Sequence, residues 1–282
     1  MPRINHNVPA MITGNSLRAT DRNLAKSLEK LSTGLRINRA ADDAAGLSIS
    51  EQLRTQVGGL SMGTRNAQDG IALFNIAEGA LHEVNSMMQR MRELSIQAAN
   101  DTLTSTDRSF VQAEITQLTT EIDRIVGGAQ YNGMSLLNGD EPWGTGLGGV
   151  LHIGANYEAS DNIIQFKIDS ISTESVGIAT TDISLTAQSS ATAAISALDE
   201  ALSSVNTLRA NIGSIVNRLE HALTSQENQV QNMQAAESVI RDADFAHETT
   251  EYTKHQILMQ SSNAMLAQAN VIPQNVLNLL QG

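Results

Sequence analysis

Apolar residues in this 282-residue chain recur at spacings of three and four over long stretches. Positions 74, 77, 81, 84, 88, 91, 95 and 98 read Phe, Ala, Leu, Val, Met, Met, Ser and Ala, with Leu73, Ala80, Met87 and Leu94 on the flank. That period draws one stripe along a helix through four heptads. A second stripe runs through Ile195, Leu198, Leu202, Val205, Ile212, Val216 and Leu219, with Leu208 and Ile215 beside it. It continues past Val230 and Met233 towards Ile240. A helix of about 45 residues is roughly 70 Å long at 1.5 Å per residue. No compact domain of this size needs such an element, so an elongated architecture or an assembly is expected.

Shorter helices are expected elsewhere. Residues 105–127 carry Phe110, Val111, Ile115, Leu118, Ile122 and Ile125, with Ser105 or Thr106 as cap and Gly127-Gly128 as the stop. Leu17, Leu24, Leu28, Leu31 and Leu35 mark an N-terminal helix broken at Gly34. Met265, Ala269, Ile272, Val276 and Leu279 mark a C-terminal one. Pro273 lacks an amide donor and predicts a kink or restart there. Residues 128–186 differ: they hold Tyr131, Trp143, Tyr157 and Phe166, half of the eight aromatics, among many Gly, Ser and Thr. Residues 150–155 and 162–171 alternate as strands do, which predicts two or more short hairpins. The fold class expected is therefore mainly α: an elongated antiparallel bundle of long helices, coiled-coil-like, with a small β-hairpin region mid-chain. N- and C-terminal helices that each lack a partner are expected to pair with one another.

Composition narrows the function. Aromatics make up 3% of the chain, so the core rests on Ala, Leu, Ile, Val and ten Met, as suits packed helices rather than a globular enzyme. The absence of cysteine excludes disulfides, thiolate nucleophiles and Cys-ligated zinc. No run of 18 apolar residues predicts membrane insertion. The N-terminal MPRINHNVPAMITGNSL lacks the layout of a cleavable signal peptide, so any export is expected to use a route that does not read one. Net charge is -12, but residues 1–40 sum to +5, leaving -17 for the remainder. An acidic body argues against nucleic-acid binding, which needs clustered Lys and Arg.

Candidate chemistry is sparse. His247, Glu251 and His255 in HETTEYTKH share one helix face, but Glu251 stands where a zinc peptidase motif needs its second histidine. A structural polar face is the preferred reading. Asp42-Asp43 suggest metal ligands, yet adjacent carboxylates on a helix point about 100° apart and hard cations need converging oxygens. Surrounded by Ala40, Ala41, Ala44 and Ala45, the pair reads instead as a tight bend. No G-x-S-x-G elbow, G-x-G-x-x-G loop or Walker lysine occurs. Met87, Met88 and Met91 lie on the heptad face and read as helix–helix core rather than a promiscuous binding stripe. No catalytic, cofactor or metal site is expected.

Specific segments resemble bacterial flagellin. INHNVPA (4–10), LEKLSTGLRINRAADDAAGLSISEQLRTQ (28–56), NAQDGIALFNIAEGALHEV (66–84), QRMRELSIQAAN (89–100), AEITQLTTEIDRI (113–125) and YNGMSLLNG (131–139) are similar to its N-terminal block. Residues 238–280, beginning SVIRDADFAHETTEYTKHQ, are similar to its C-terminal block, whereas 140–189 match weakly. The resemblance implies a structural subunit, not an enzyme, that polymerises into a helical flagellar filament for motility. It implies three segments: 1–45, an inner-tube helix and connector; 46–237, an outer-tube region with β structure at about 140–186; and 238–282, the second inner-tube helix. Only about 60 residues separate Gly127 from Ala187, too few for a typical added outer domain, so a short form is expected.

Partners follow from the same resemblance: further copies of the chain, a flagellar export chaperone, filament cap and hook-junction proteins, and the vertebrate innate receptor for flagellin. Export is expected through the flagellar type III apparatus, to an extracellular flagellum or a periplasmic one. The chaperone segment, also the inner-tube helix, carries Met259, Met265, Leu266, Val276, Leu277 and Leu280. Gln89, Arg90, Leu94 and Glu114 match the receptor surface, which equally reads as a contact between protofilaments. Gly34, Arg36, Arg39, Asp42, Asp43 and Gly46 fall in the inter-layer connector, where the charged side chains are expected to pair within or across subunits. The alternatives are a hook–filament junction, filament-capping or other flagellin-like axial protein, a flagellin with a central zinc peptidase, and a cytosolic coiled-coil scaffold. The peptidase would require H-E-x-x-H in 140–190, where only His152 stands. The scaffold conflicts with the Gly- and Ala-rich bend at 34–46.

Overall fold

The computed structural model describes residues 6–139, 148–157, 162–179 and 183–281, the last ten by backbone alone. The chain is mainly α with two small hairpins. Helices α1 (Val8–Thr33), α2 (Ala44–Ala98) and α3 (Ser105–Gly128) come first. Strands β1 (Gln130–Tyr131), β2 (Met134–Ser135), β3 (Gly149–His152) and β4 (Ile163–Phe166) follow, then α4 (Gln188–Arg241) and α5 (Phe245–Gln281). Two compact units result: residues 1–55 with 231–282, and residues 56–230.

The 56–230 unit holds the continuous hydrophobic core. All eight positions of the α2 stripe, Phe74 to Ala98, are buried. On α4 the buried seam is rotated from the expected one. It runs through Ala191, Ala194, Leu198, Ala201, Val205, Leu208, Ile212, Ile215 and Leu219, with Ile195, Leu202 and Val216 half-buried at its edge. Alanines at the seam let backbones approach closely, and larger neighbours close its margins. Pairs Glu78–Arg209 and Arg92–Asp199 cross from α2 to α4, so these helices run antiparallel.

Helix α3 corrects two expectations. Its cap is Thr104, not Ser105 or Thr106, and a reciprocal capping box joins Thr104 to Asp107. Phe110 is 69% exposed rather than in the stripe. The buried positions are Ile115, Thr119, Ile122 and Val126, a three-and-four row that Phe110 does not share. Gln112 continues that row and binds the backbone of Ile183 and Leu185, so an amide fills the place expected of an aromatic.

Both hairpins are antiparallel, and the strands β3 and β4 are shorter than expected. Asn132 and Gly133 have φ of 50° and 76°, as a two-residue type I′ turn requires. Phe166 meets Phe74 edge-on at 4.9 Å and ties β4 to α2. The far end of β3 lies on a row of small residues on α2. A Cβ on Gly63 would overlap the Ile153 carbonyl oxygen, and one on Gly59 would come within 2.9 Å of Ala155. Trp143 lies outside the described residues, and α5 continues as one helix through Pro273.

Candidate assembly interface

In the 1–55/231–282 unit, α1 and α5 lie side by side. The Asn7 carboxamide caps α1 by accepting from the Ala10 amide at 3.1 Å, and it donates to the Ala269 carbonyl at 2.9 Å. At the other end Lys30 pairs with Glu248 at 3.2 Å. These contacts put the start of α1 beside the end of α5, so the pair is antiparallel. Gly34 then ends α1 in the left-handed region, φ 74°, with its amide on the Lys30 carbonyl.

Among its described side chains this pair buries few fully. Among the described side chains of α1 and α5, only Ser27, Glu248 and Ala269 are buried. Val8, Met11 and Ile12 on α1, with Ile257, Met265 and Val271 on α5, are exposed. Leu17, Leu24 and Leu31 of the expected stripe are half-buried and Leu28 is exposed, because two helices close only one seam. Met259 and Leu266 are half-buried. Val276, Leu277 and Leu280 lie where the side chains are outside the described residues.

The connector from α1 to α2 is fastened to the end of α4. Leu35 and Asp242 form an antiparallel bridge, the Arg36 amide donates to the Arg241 carbonyl at 2.7 Å, and the Ala243 amide donates to the Gly34 carbonyl at 2.9 Å. The Arg36 guanidinium also reaches the Ile240 carbonyl. Arg241 turns to Glu51 at 2.7 Å, and Asp244 caps α5 by accepting from the Ala246 and His247 amides.

The two adjacent aspartates have separate roles, and neither bonds to Arg36 or to the side chain of Arg39. Asp42 accepts from the amides of Asn38 and Arg39 and pairs with Lys26 at 2.8 Å. The Lys26 bond, helped by those amides, holds its carboxyl below the usual aspartate range. Asp43 is the N-cap of α2, accepting from the Gly46 amide at 2.9 Å. Arg39 pairs with Glu29 at 2.9 Å. Gly46 sits tightly in this packing: a Cβ there would lie 2.5 Å from an Asp43 carboxylate oxygen and 2.8 Å from the end of the Ile37 side chain, so both would have to shift. Ile37 is 1% exposed and is the large apolar residue that anchors the bend.

In the 56–230 unit, Gln89, Arg90 and Glu114 are exposed, whereas Leu94 belongs to the core and presents nothing to the surface. Two nitrogens of Arg90 donate to one oxygen of Glu114, at 3.1 and 2.9 Å, and Glu93 stands 3.5 Å away. In HETTEYTKH the Glu251 carboxylate is held low chiefly by its bonds from Lys254, with His255 3.6 Å off. Among the described residues no three His, Asp or Glu side chains converge as metal ligands. No described helix is long and apolar enough to cross a membrane.

Several residues that fix these surfaces have no motif to announce them. Gln226, buried on α4, donates to the Ile153 carbonyl at 2.6 Å and accepts from Thr64 at 3.3 Å. Asn66 donates to the neighbouring His152 carbonyl at 2.8 Å. Asp123 receives both the amide and hydroxyl of Thr173 and pins the segment after β4 to α3. The three-and-four spacing of Gly59, Gly63, Ala67 and Gly70 was the one available signal, since small residues on one helix face permit a close neighbour.

Comparison with known proteins places these features. Residues 4–141 match the family described as the bacterial flagellin N-terminal helical region, and 195–280 match the bacterial flagellin C-terminal helical region. The chain is 44% identical over 287 residues to a flagellar filament 31.3 kDa core protein of Treponema maltophilum, covering 99% of both. It is 45% identical over 278 residues to a flagellin of Halalkalibacterium halodurans, covering 99% of both. Against a flagellin of Bacillus subtilis it is 42% identical over 306 residues, covering 99% of this chain and 100% of that one. A structure described as a flagellar hook-associated protein from Vibrio parahaemolyticus shares the fold, with a TM-score of 0.56, 16% identity and coverage of 71% of this chain and 99% of that one.

Proposed function

Because the chain belongs to the bacterial flagellin family, and is thus a structural, self-associating filament protein rather than an enzyme, we propose that it is the subunit of a motility filament whose terminal helices fold fully only on assembly. The observation that carries this reading is the bare α1–α5 pair. Ordering a residue costs about 1–2 kcal/mol of backbone entropy. A pair with three buried residues among its described side chains, none of them a large hydrophobe, gains little against that cost, whereas 33 buried apolar residues form the core of the 56–230 unit. Further copies of the chain supply the missing surface. Copies joined head to tail make a non-closing interface, hence a helical polymer.

In this reading residues 1–45 and 238–282 supply the inner tube of the filament and 46–237 the layer around it. The subunit travels through the flagellar type III apparatus with its ends unfolded and reaches an extracellular flagellum. An export chaperone covers the apolar face of α5, including Met259, Met265 and Leu266, until cap and hook-junction proteins receive the subunit. Gln89, Arg90 and Glu114 form the face open to a protofilament neighbour or to the vertebrate innate receptor, and Leu94 supports it from within. The test is seeded growth. Purified subunit added to sheared filament fragments should extend them into long helical filaments by electron microscopy. Soluble subunit persisting beside unextended seeds would overturn the proposal.

A further inference from the structure

Of the seven arginines in the 56–230 unit, five pair with an acid: Arg90 with Glu114, Arg92 with Asp199, Arg108 with Asp101, Arg124 with Glu121 and Arg209 with Glu78. Arg65 and Arg218 are exposed and pair with no acid among the described residues. The same unit holds a cleft of about 350 Å³ between α4 and the segment after β4. That is the small end of the range for ligand clefts, a size suited to one side chain.

The rim of the cleft is made to accept hydrogen bonds. Ser204 and Thr207 give their hydroxyl protons to the Glu200 and Ser203 carbonyls at 3.1 and 2.8 Å, and Ser175 gives its proton to the Ser172 carbonyl at 2.8 Å. What these hydroxyls have left to offer is lone pairs. Asp169 adds a carboxylate that is 62% exposed and pairs with the equally open Lys167. Ile171 and Leu208, both buried, form the floor. An apolar floor under a rim of acceptors fits a guanidinium, which has five N–H donors around its edge, no acceptor and weakly hydrated faces. An ammonium is more strongly hydrated and loses more over such a floor.

We propose that this cleft receives the Arg65 side chain of a second copy of the chain. The inference rests on the assembly reading above. Arg218, the other free arginine, stands on the wrong face. Ser204, Thr207, Asn211 and Arg218 follow one another at three, four and seven residues, so they share one strip of α4. A head-to-tail contact joins two different patches, so a residue of the cleft's own strip does not enter the cleft of its neighbour. Arg65 stands on α2, which contributes no residue to the cleft. Each copy therefore offers one cleft and one free arginine on separate patches, and a row of copies satisfies both.

Seeded growth and crosslinking test this together. Arg65→Gln and Asp169→Asn should each raise the critical concentration about fivefold, as the loss of a half-exposed charge-assisted bond does. The double variant should be little worse than either single one, because both remove the same contact. Arg65 touches no acid in its own subunit, so Arg65→Gln should keep the thermal midpoint of the parent, and Arg218→Gln should grow as the parent does. The chain has no cysteine, so Arg65→Cys/Ser204→Cys carries two thiols and no others. A short bis-maleimide added to its sedimented filaments should give a ladder of joined subunits on a denaturing gel, whereas Arg218→Cys/Ser204→Cys should give none. Absence of the ladder, growth of Arg65→Gln at the parent's critical concentration, or an equal loss in Arg218→Gln would overturn the proposal. Should the parent itself fail to extend seeds, the assembly reading fails, which that arm reports separately.

Discussion

Lys30 and Glu248 lie 218 residues apart in sequence, yet the ammonium sits 3.2 Å from the carboxylate, with only 22% and 9% of the two side chains exposed. Together with Asn7 and Ala269 this contact fixes the register of α1 against α5. An apolar seam this thin slides easily, so a partly buried ion pair has register as its natural role. Lys30→Met should leave Glu248 without its partner and raise the critical concentration for seeded growth about tenfold, equivalent to about 1.4 kcal/mol. The exchange Lys30→Glu with Glu248→Lys should recover most of the loss. Sedimentation of filaments against subunit concentration reads both.

Gly46→Ala is expected to damage the bend from α1 to α2. The added Cβ would meet the Asp43 carboxylate and Ile37 at once. Either the cap opens, at about 1 kcal/mol, or Ile37 is pushed out, at about 1–3 kcal/mol. Proteolysis should then cut the 34–46 segment much faster than in the parent. Asp43→Asn, which keeps the cap, should behave as the parent, whereas Asp43→Ala should resemble Gly46→Ala. Replacing both Asp42 and Asp43 by Lys should abolish polymerisation while leaving the unfolding transition of the 56–230 unit in place.

Much of the architecture was legible in the chain. The α2 stripe is unambiguous because seven of its eight positions are apolar, and all eight, Ser95 included, are buried. On α4 the same reasoning selected the larger residues and missed Ala191, Ala194 and Ala201, because periodicity weighted by size drifts towards the seam's margin. Phe110 misled for a related reason: an aromatic near a helix start looks like core, but its phase is wrong for Ile115 and Ile122. The connector was legible as a bend but not as a mechanism. That Asp42 holds amides and Lys26 while Asp43 caps a helix depends on backbone directions that no spacing encodes. Gln226 was invisible, since its partners lie on Thr64 and Ile153, far away in sequence.

Acid should weaken the bend through Asp42. Its pKa is lowered in the folded chain, so its contribution is present above the ordinary aspartate value and is lost as pH falls through the lowered one. Lys26 is half exposed, which limits the effect to less than about 1 kcal/mol. Asp42→Asn should remove this part of the acid dependence while keeping an acceptor for the amides. Circular dichroism followed from pH 7 to pH 2, with the parent and variant curves converging at the acid end, checks it.

Gln226→Leu should strand the Ile153 carbonyl and the Thr64 hydroxyl on a closely packed face. The cost of a buried unsatisfied group is about 1–3 kcal/mol. At about 2–4 °C per kcal/mol for a unit of this size, the thermal midpoint should drop by several degrees. Gly63→Ala should do at least as much harm, because its Cβ would overlap a backbone oxygen. Differential scanning calorimetry resolves either change.

On the assembly reading, α1 and α5 obtain their stability from neighbouring copies. Hydrogen exchange measured on the free subunit and on sedimented filaments tests it most directly. Amides of residues 8–33 and 245–271 should exchange within minutes in the subunit and become protected by several orders of magnitude in the filament. Residues 74–98 and 191–219, whose core is already complete, should be protected in both. Protection of α1 and α5 in the free subunit equal to that in the filament would contradict the claim.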